Sequence, residues 1–504
     1  MVDFLLNIEL HNNSSYQQQI REKLVQLINQ GAFADKALPP SRKMAQLIGV
    51  SRNTIILVYE SLVEEGYLIS RERRGYFVDP DLAIEASLAA EDLHPLSPSD
   101  APNWDKRLQK NPSQFASLNK DKDWIKYPYP FIYGQIDAQE FPIYQWRECS
   151  RIAESRGKVH EWVEGFIDVD DPELVTQIRQ QILSKRGIIA QTDEILITLG
   201  TQNSLFLLAN LLAGEKVTFG VEDPGYADLR QIISLCHSPV KPLALDSEGL
   251  QVGKQLKQCH YVCVTPSHQY PTTVTMTVKR RKALLEQARK DNFVVIEDDY
   301  ESEVNFIEKP LPALKSFDQH GRVIYVGSLS KSLAPGIRIG YLVADKKLVK
   351  ELRKLRHLHY RHPPANNQRI IALFIGQGYY DSHVRRMRRS YEEKWLLMQQ
   401  GIERYLSRCE IHSTAGSFCF WIALPDTMPS HLLRDAAAAE GILIESGDSL
   451  FSNEQAPKNY IRLGFSAINH DKILPGLAIL GKLIDDLQQA NLNGKIDSSS
   501  ARLT

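Results

Sequence analysis

Residues 323–340 read VIYVGSLSKSLAPGIRIG. The four apolar residues Val323-Ile324-Tyr325-Val326 predict a buried strand. A glycine and hydroxyl groups follow, with Lys331 set between Ser330 and Ser332 and a Pro335-Gly336 turn ahead of Arg338. A primary amine at a strand's end, among serines, is well placed to form an imine with an aldehyde. Arg338 follows at a spacing that returns its guanidinium fork to a phosphate also held by Ser328. A lysine and an arginine on an ordinary surface loop would not need the glycine, proline and hydroxyls around them.

Similar short runs recur before this stretch, at Ile195–Thr198, Val217–Phe219, Tyr261–Val264 and Phe293–Ile296. Amphipathic stretches such as Gln202–Leu212 and Lys279–Lys290 separate most of them. That rhythm predicts an α/β domain over residues 126–490, a mainly parallel sheet with helices on both faces. Ligands of such sheets sit at the carboxyl ends of strands, and two more motifs fall there. In Leu199-Gly200-Thr201-Gln202, backbone N–H groups and the Thr201 hydroxyl make an anion socket, although a Gly-Thr helix start is common. In Glu297-Asp298-Asp299-Tyr300, consecutive acids tolerate burial poorly without a cation or donor. A protonated pyridine nitrogen would serve one of them. Taken alone, the acids would read as a metal site or as N-terminal charges for the next helix.

Together the three motifs resemble the fold-type I aminotransferases, from about Tyr127 to Leu487. The resemblance implies pyridoxal 5'-phosphate, held on Lys331 as a Schiff base, with Thr201, Gln202, Ser328 and Arg338 around it. It implies Asp298 against the pyridine nitrogen, Tyr300 facing the phenolic oxygen, and Tyr226 of EDPGY (222–226) stacked on the ring. The D-x-Y pattern favours Asp298 over Asp299, which the sequence alone leaves open. Arg462 in YIRLGFS (460–466) would bind an effector's carboxylate as a bidentate fork; a strand-end surface arginine is the plain alternative. One segment departs from the enzymes: where many read Asn-Pro-x-x-Pro-Thr-Gly, this chain has TPSHQYPTT (265–273). The asparagine that tunes the cofactor is not in its usual setting and the last glycine is Thr273. His268 could take part instead, although a lone histidine is more often structural. Efficient turnover is therefore not expected.

The first 80 residues form a separate pattern. Tyr16, Ile20, Leu24, Leu27 and Ile28 recur at helical spacing before Gly31. Ser41 is placed to cap a second helix and Ser51 a third, running from Arg52 to Glu65. Tyr67–Ile69 and Tyr76–Val78, around a polar turn, predict a hairpin. Three helices and a hairpin make a winged helix-turn-helix, whose recognition helix presents N-terminal side chains to base edges. Candidate DNA contacts are Ser41 and Arg42, then Ser51, Arg52, Asn53 and Thr54, then Arg73, Arg74 and Gly75 on the wing. Residues 1–80 hold nine Lys/Arg against nine Asp/Glu, so the arginines could be a solvated face; segregation of the basic groups to the helix start and wing favours DNA. LPPSRKMAQLIGVSRNTIILVYESLVEEGYLISRERRGYFV (38–78) resembles the winged-helix domain of the GntR family. T-P-S-H-Q-[FY]-P is similar to the MocR subfamily, in which such a reader is fused to an aminotransferase-like domain.

Between the halves, residues 81–125 read as a proline-punctuated linker with some helix over 82–93, and residues 491–504 as a frayed tail. The chain has 504 residues, 43% hydrophobic and 24% charged, which excludes disorder as its main state. Its net charge of −1 advertises no global nucleic-acid affinity. The six cysteines form no CxxC and no zinc spacing, so no metal is expected and a reducing, cytoplasmic setting is. No apolar run is long enough to span a bilayer, and the N-terminus lacks signal-peptide character. Arg385-Arg386-Met387-Arg388-Arg389 reads as a solvated helix face rather than a second phosphate contact. The expected protein is a regulator that binds operator DNA and senses an amine or amino-acid effector by external aldimine formation at Lys331. The resemblance implies a head-to-tail homodimer, each reader near its partner's large domain. The alternatives are a working aminotransferase with an accessory DNA reader, and a regulator that has lost its cofactor.

Overall fold

The computed structural model of the chain describes residues 11, 15–31, 33, 36–82, 102–115, 123–163, 169–301, 305–306, 311–412, 416–453 and 455–492. They fall into two compact units, Met1–Gln109 and Lys110–Thr504. Most of the expected linker (83–101 and 116–122), most of the helix expected at 82–93, and residues 493–504 of the tail lie outside the described residues.

In the first unit, α1 (Tyr16–Asn29) buries Ile20, Leu24, Leu27 and Ile28. These meet Met44 and Ala45 of α2 (Ser41–Ile48) and Ile55, Val58, Tyr59 and Leu62 of α3 (Arg52–Glu64) in one apolar cluster. The unit thus has a core of its own. Its polar exception is satisfied: the buried Tyr59 hydroxyl donates to the Pro39 carbonyl at 2.8 Å. Ser51 caps α3, its Oγ accepting from the Thr54 N–H at 3.1 Å. Ser51→Ala is expected to lower the stability of this unit by about 0.5–2 kcal/mol, readable by thermal denaturation. Ser41 does not cap α2. Pro40 occupies the cap position, where its fixed φ suits the helix entry, and Ser41 is the first helical residue. The Ser41 hydroxyl instead accepts from Arg52 Nε at 3.4 Å, joining the starts of α2 and α3.

Strands β1 (Leu68–Arg71) and β2 (Gly75–Val78) pair antiparallel as the wing. Arg73 (φ +60°) and Gly75 (φ +103°) take left-handed conformations to close its turn, and glycine does so without steric cost. Arg42, Ser51, Arg52, Asn53, Arg73, Arg74 and Gly75 are exposed, and Ser41 and Thr54 partly so.

The second unit is built on an eight-stranded sheet of β3 (Ile195–Thr198), β4 (Phe219–Asp223), β5 (Val240–Asp246), β6 (Gly249–Leu250), β7 (Tyr261–Val264), β8 (Val294–Asp299), β9 (Val323–Ser328) and β10 (Gly340–Val343). Their order is β3-β10-β9-β8-β7-β4-β5-β6. The neighbours from β9 through β5 run parallel, whereas β10 and the edge strand β6 run antiparallel to theirs. The expected mainly parallel α/β sheet is therefore observed. The run at Val217 is displaced: Val217 closes a turn onto Gly214 (N–O 2.9 Å), and the strand begins at Phe219. The acids at 297–299 belong to β8 itself rather than following it. A second, antiparallel sheet has the order β11 (Glu410–His412), β12 (Cys419–Ala423), β14 (Tyr460–Gly464), β13 (Glu445–Ser446). It shares an apolar core with the long helix Tyr379–Tyr405 and with His470–Leu492, which continues to the edge of the described residues.

Candidate functional site

The pleat of β8 separates its three acids. Alternate residues of a strand face opposite sides of the sheet, so Glu297 and Asp299 share one side and Asp298 takes the other. Glu297 accepts the N–H groups of Leu314 (2.7 Å) and Lys315 (2.8 Å). Asp299 accepts from Arg186 Nε (2.9 Å), Tyr325 Oη (2.7 Å) and Ser267 Oγ (2.6 Å). Burial alone would raise its pKa, but the Arg186 guanidinium and these hydrogen bonds hold its carboxyl below the usual carboxylate range. Asp298 opens instead on a cavity of about 360 Å³, where its Oδ1 accepts no hydrogen bond among the described residues. Burial, then the neighbouring charges of Asp299 and Glu222, push it well above the carboxylate range. It is a buried acid in want of a cationic or donating partner.

Two of the sequence motifs converge at one end of this cavity. Gly200 precedes the helix α4 (Thr201–Leu212) at φ +98°, and a Cβ there would lie 3.4 Å from the Arg338 guanidinium. A Cβ on Gly340 would lie 2.7 Å from Gly200 Cα, so only glycine lets β10 pass this closely. Arg338 is thereby delivered to the start of α4, where backbone N–H groups point outward. The hydroxyls of Thr201 and Ser330 face the same cavity and have no hydrogen-bond partner among the described residues. Ser328 accepts from the Ser330 N–H at 3.1 Å. Gln202 and Tyr226 also line the cavity, and both donate to Asp228 Oδ2, at 3.3 and 3.1 Å.

Lys331 lines the same cavity, its Nζ 4.4 Å from the centroid of the Tyr133 ring. The far end is made by Arg462 on β14. Its guanidinium carbon sits 3.8 Å from the Tyr133 centroid and 4.3 Å from that of Tyr270, two rings that stand at 69° to each other. Arg462 Nε donates to Cys419 Sγ at 3.1 Å, while Nη1 and Nη2 have no hydrogen-bond partner among the described residues. Tyr300 completes the wall, its hydroxyl donating to the His268 carbonyl at 3.0 Å.

Of the expected cofactor and effector residues, all but His268 line this one cavity. The His268 side chain is buried outside it, with Nδ1 4.0 Å from Glu301 Oε2, and only its carbonyl supports the wall. Thr273, which stands where many enzymes have glycine, does adopt a left-handed conformation, φ +66°. Sequence reasoning missed Tyr133, Tyr270, Asp228, Ser330 and Glu445. Tyr270 and Ser330 lay inside motifs already singled out; the others carry no local signal.

The aminotransferase class I and II family model matches residues 152–473, and the bacterial regulatory protein gntR family model matches 16–78. The HTH-type transcriptional regulator TauR of Rhodobacter capsulatus is 36% identical over 93% of this chain and 96% of its own. The probable rhizopine catabolism regulatory protein MocR of Rhizobium meliloti is 31% identical over 77% of this chain and 78% of its own. Among solved structures, the α-aminoadipate aminotransferase LysN of Thermus thermophilus, complexed with N-(5'-phosphopyridoxyl)-L-leucine, superposes with a TM-score of 0.68 at 25% identity, covering 78% of this chain and 100% of its own. Class I and II aminotransferases use pyridoxal phosphate, and the residues here fit that group. Buried polar atoms in native proteins are nearly always hydrogen-bonded, and the partnerless atoms of this cavity ask for what the cofactor offers. Asp298 Oδ1 wants a ring N–H, and the Thr201 and Ser330 hydroxyls beside Arg338 want phosphate oxygens. A gntR-type reader precedes this domain, and the full-length relatives are themselves transcriptional regulators; the chain belongs to the MocR-type regulators of the GntR family.

Proposed function

We propose that this protein is a transcription regulator that senses a primary-amine effector bearing an anionic group through pyridoxal phosphate held at Lys331. The observation that carries the reading is the shared cavity: Lys331 and Arg462 stand on the same Tyr133 ring, with the phosphate-type socket of Thr201, Ser330 and Arg338 in the same space. When bound, the cofactor supplies an aldehyde carbon to which either the Lys331 amine or an effector amine can bond, one displacing the other. Arg338 and the α4 N-terminus would anchor the phosphate, Asp298 would hold the ring nitrogen protonated, and Tyr226 would cover the ring. Arg462 would orient the effector by its anionic end, which its planar fork suits better than a lysine would. An effector shifts DNA binding only through its differential affinity for two states of the protein.

The winged-helix unit would read the major groove through the start of α3 and meet phosphates with its wing. Arg52→Ala is expected to cost about 1–3 kcal/mol in operator binding. Removing Arg73 and Arg74 should weaken binding across all sequences and flatten its salt dependence. Fluorescence anisotropy on promoter DNA at several salt concentrations reads both. A head-to-tail homodimer would match paired half-sites, as the resemblance implies. A cytoplasmic setting is consistent with six cysteines that form no disulfide. Among the described residues no helix is long and apolar enough to cross a membrane.

The deciding experiment adds primary amines to the loaded protein and follows cofactor absorbance and operator binding together. A spectral change with altered DNA binding and no sustained keto-acid release supports the sensor. Multiple-turnover keto-acid production would make it an enzyme instead.

A further inference from the structure

Glu445 lies directly opposite Arg462 across the antiparallel pair β13/β14. Residues in direct register project to the same side of a sheet, and both side chains line the cavity. Glu445 Oε2 is 3.5 Å from Arg462 Nη1, close enough to pair electrostatically but making no hydrogen bond to it. Oε1 accepts the Tyr133 N–H at 3.3 Å, which fixes the carboxylate on the cavity wall. The end of the pocket that would receive an effector's anion is thus dipolar rather than simply cationic. An incoming carboxylate that bridges the two η nitrogens must come close to a fixed carboxylate in a confined, poorly solvated space, where like charges repel strongly. A cation or donor carried beside that carboxylate relieves the repulsion and takes the spare acceptor capacity of Glu445.

We propose that Glu445 is a specificity residue that selects effectors presenting an ammonium next to their carboxylate, the chemical class being diamino acids whose ω-amine would replace the Lys331 amine on the cofactor's aldehyde carbon, freeing that lysine, and whose α-amino-acid head would meet Arg462 and Glu445. The inference rests on the sensor reading above and names the effector class for the same cavity.

The test uses full-length protein loaded with pyridoxal phosphate and two matched pairs of probes that differ only in the α-ammonium: 4-aminobutyrate against 2,4-diaminobutyrate, and 5-aminopentanoate against ornithine. Dissociation constants are read from titration of the cofactor absorbance. Wild type is expected to bind the diamino member of each pair at least tenfold more tightly. Glu445→Gln, which keeps size and hydrogen bonding, should abolish that preference, and Glu445→Asp should retain part of it. Equal loading of cofactor in the variants shows that the pocket remains folded. A wild type without the preference, or a Glu445→Gln variant that keeps it in full, overturns the role of Glu445 and leaves the sensor reading standing. A loaded wild type whose absorbance none of the four acids alters overturns the sensor reading, and this inference with it.

Discussion

Lys331→Ala is expected to yield a protein that binds pyridoxal phosphate only non-covalently, at least roughly a hundredfold more weakly, equivalent to about 3 kcal/mol. Borohydride should then fix no cofactor on residue 331, and added amines should no longer change operator binding. The reason is where the lysine stands. Its Nζ lies over the Tyr133 ring that Arg462 also touches, in the cavity that Arg338 lines. Phosphate contacts would survive the substitution, because Thr201, Ser330 and Arg338 are untouched. DNA binding itself should persist, since the residues expected on DNA belong to a unit with its own apolar core. Lys331 lines an open cavity, so its truncation leaves no buried void and the thermal midpoint of the cofactor-free protein should move little. Mass spectrometry after borohydride treatment and anisotropy on promoter DNA check the two halves. An alanine variant that still answers amines at the operator would show that the signal bypasses position 331.

How much of this site was legible in the sequence depended on whether a residue's role is set locally. The lysine between serines, the Gly-Thr helix start and the acids after an apolar run are each fixed by one strand and the few residues beyond its end, and all three motifs meet in the cavity. Tyr133 and Glu445 are placed by the tertiary fold. Tyr133 reaches the pocket from the beginning of the large unit, and Glu445 reaches it through a strand only two residues long, Glu445–Ser446. No period or motif reports such a residue, because its neighbours are remote in sequence. Ser41 illustrates a local competition: a serine just before an apolar helix resembles a cap, but the preceding Pro40 takes that position. His268 was drawn in by its motif, yet the chain turns its ring away toward Glu301. The displaced strand at Phe219 has the same lesson, since an apolar valine serves a tight turn as readily as a strand.

The two adjacent aspartates should respond in opposite ways to the same substitution. Asp299→Ala would strand the Arg186 guanidinium, only 3% exposed, without its carboxylate, and would also leave the Tyr325 and Ser267 hydroxyls short of an acceptor. Breaking a buried pair by removing one partner costs about 3–5 kcal/mol. Arg186 keeps its hydrogen bonds to the Leu311 carbonyl (2.7 Å) and Ser267 (2.9 Å), which places the expected loss toward the lower end of that range. The denaturation midpoint of the large unit should therefore fall whether or not cofactor is present. Asp298→Ala removes a carboxyl that finds no partner for Oδ1 among the described residues and that burial already drives toward its neutral form. The cofactor-free protein should lose little stability or gain some. Its affinity for pyridoxal phosphate should fall by roughly two orders of magnitude, about 3 kcal/mol, because a protonated ring nitrogen would lose the carboxyl placed to face it. Asp298→Asn sharpens the comparison: it preserves shape and hydrogen-bonding capacity but not charge, and should lose most of the same affinity. Paired melts with and without cofactor, beside absorbance titrations, separate the cases. Equal cofactor affinity in the Asp298 variants, with a loss in an Asp299 variant that melts like wild type, would reverse the assignment that the pleat of β8 makes.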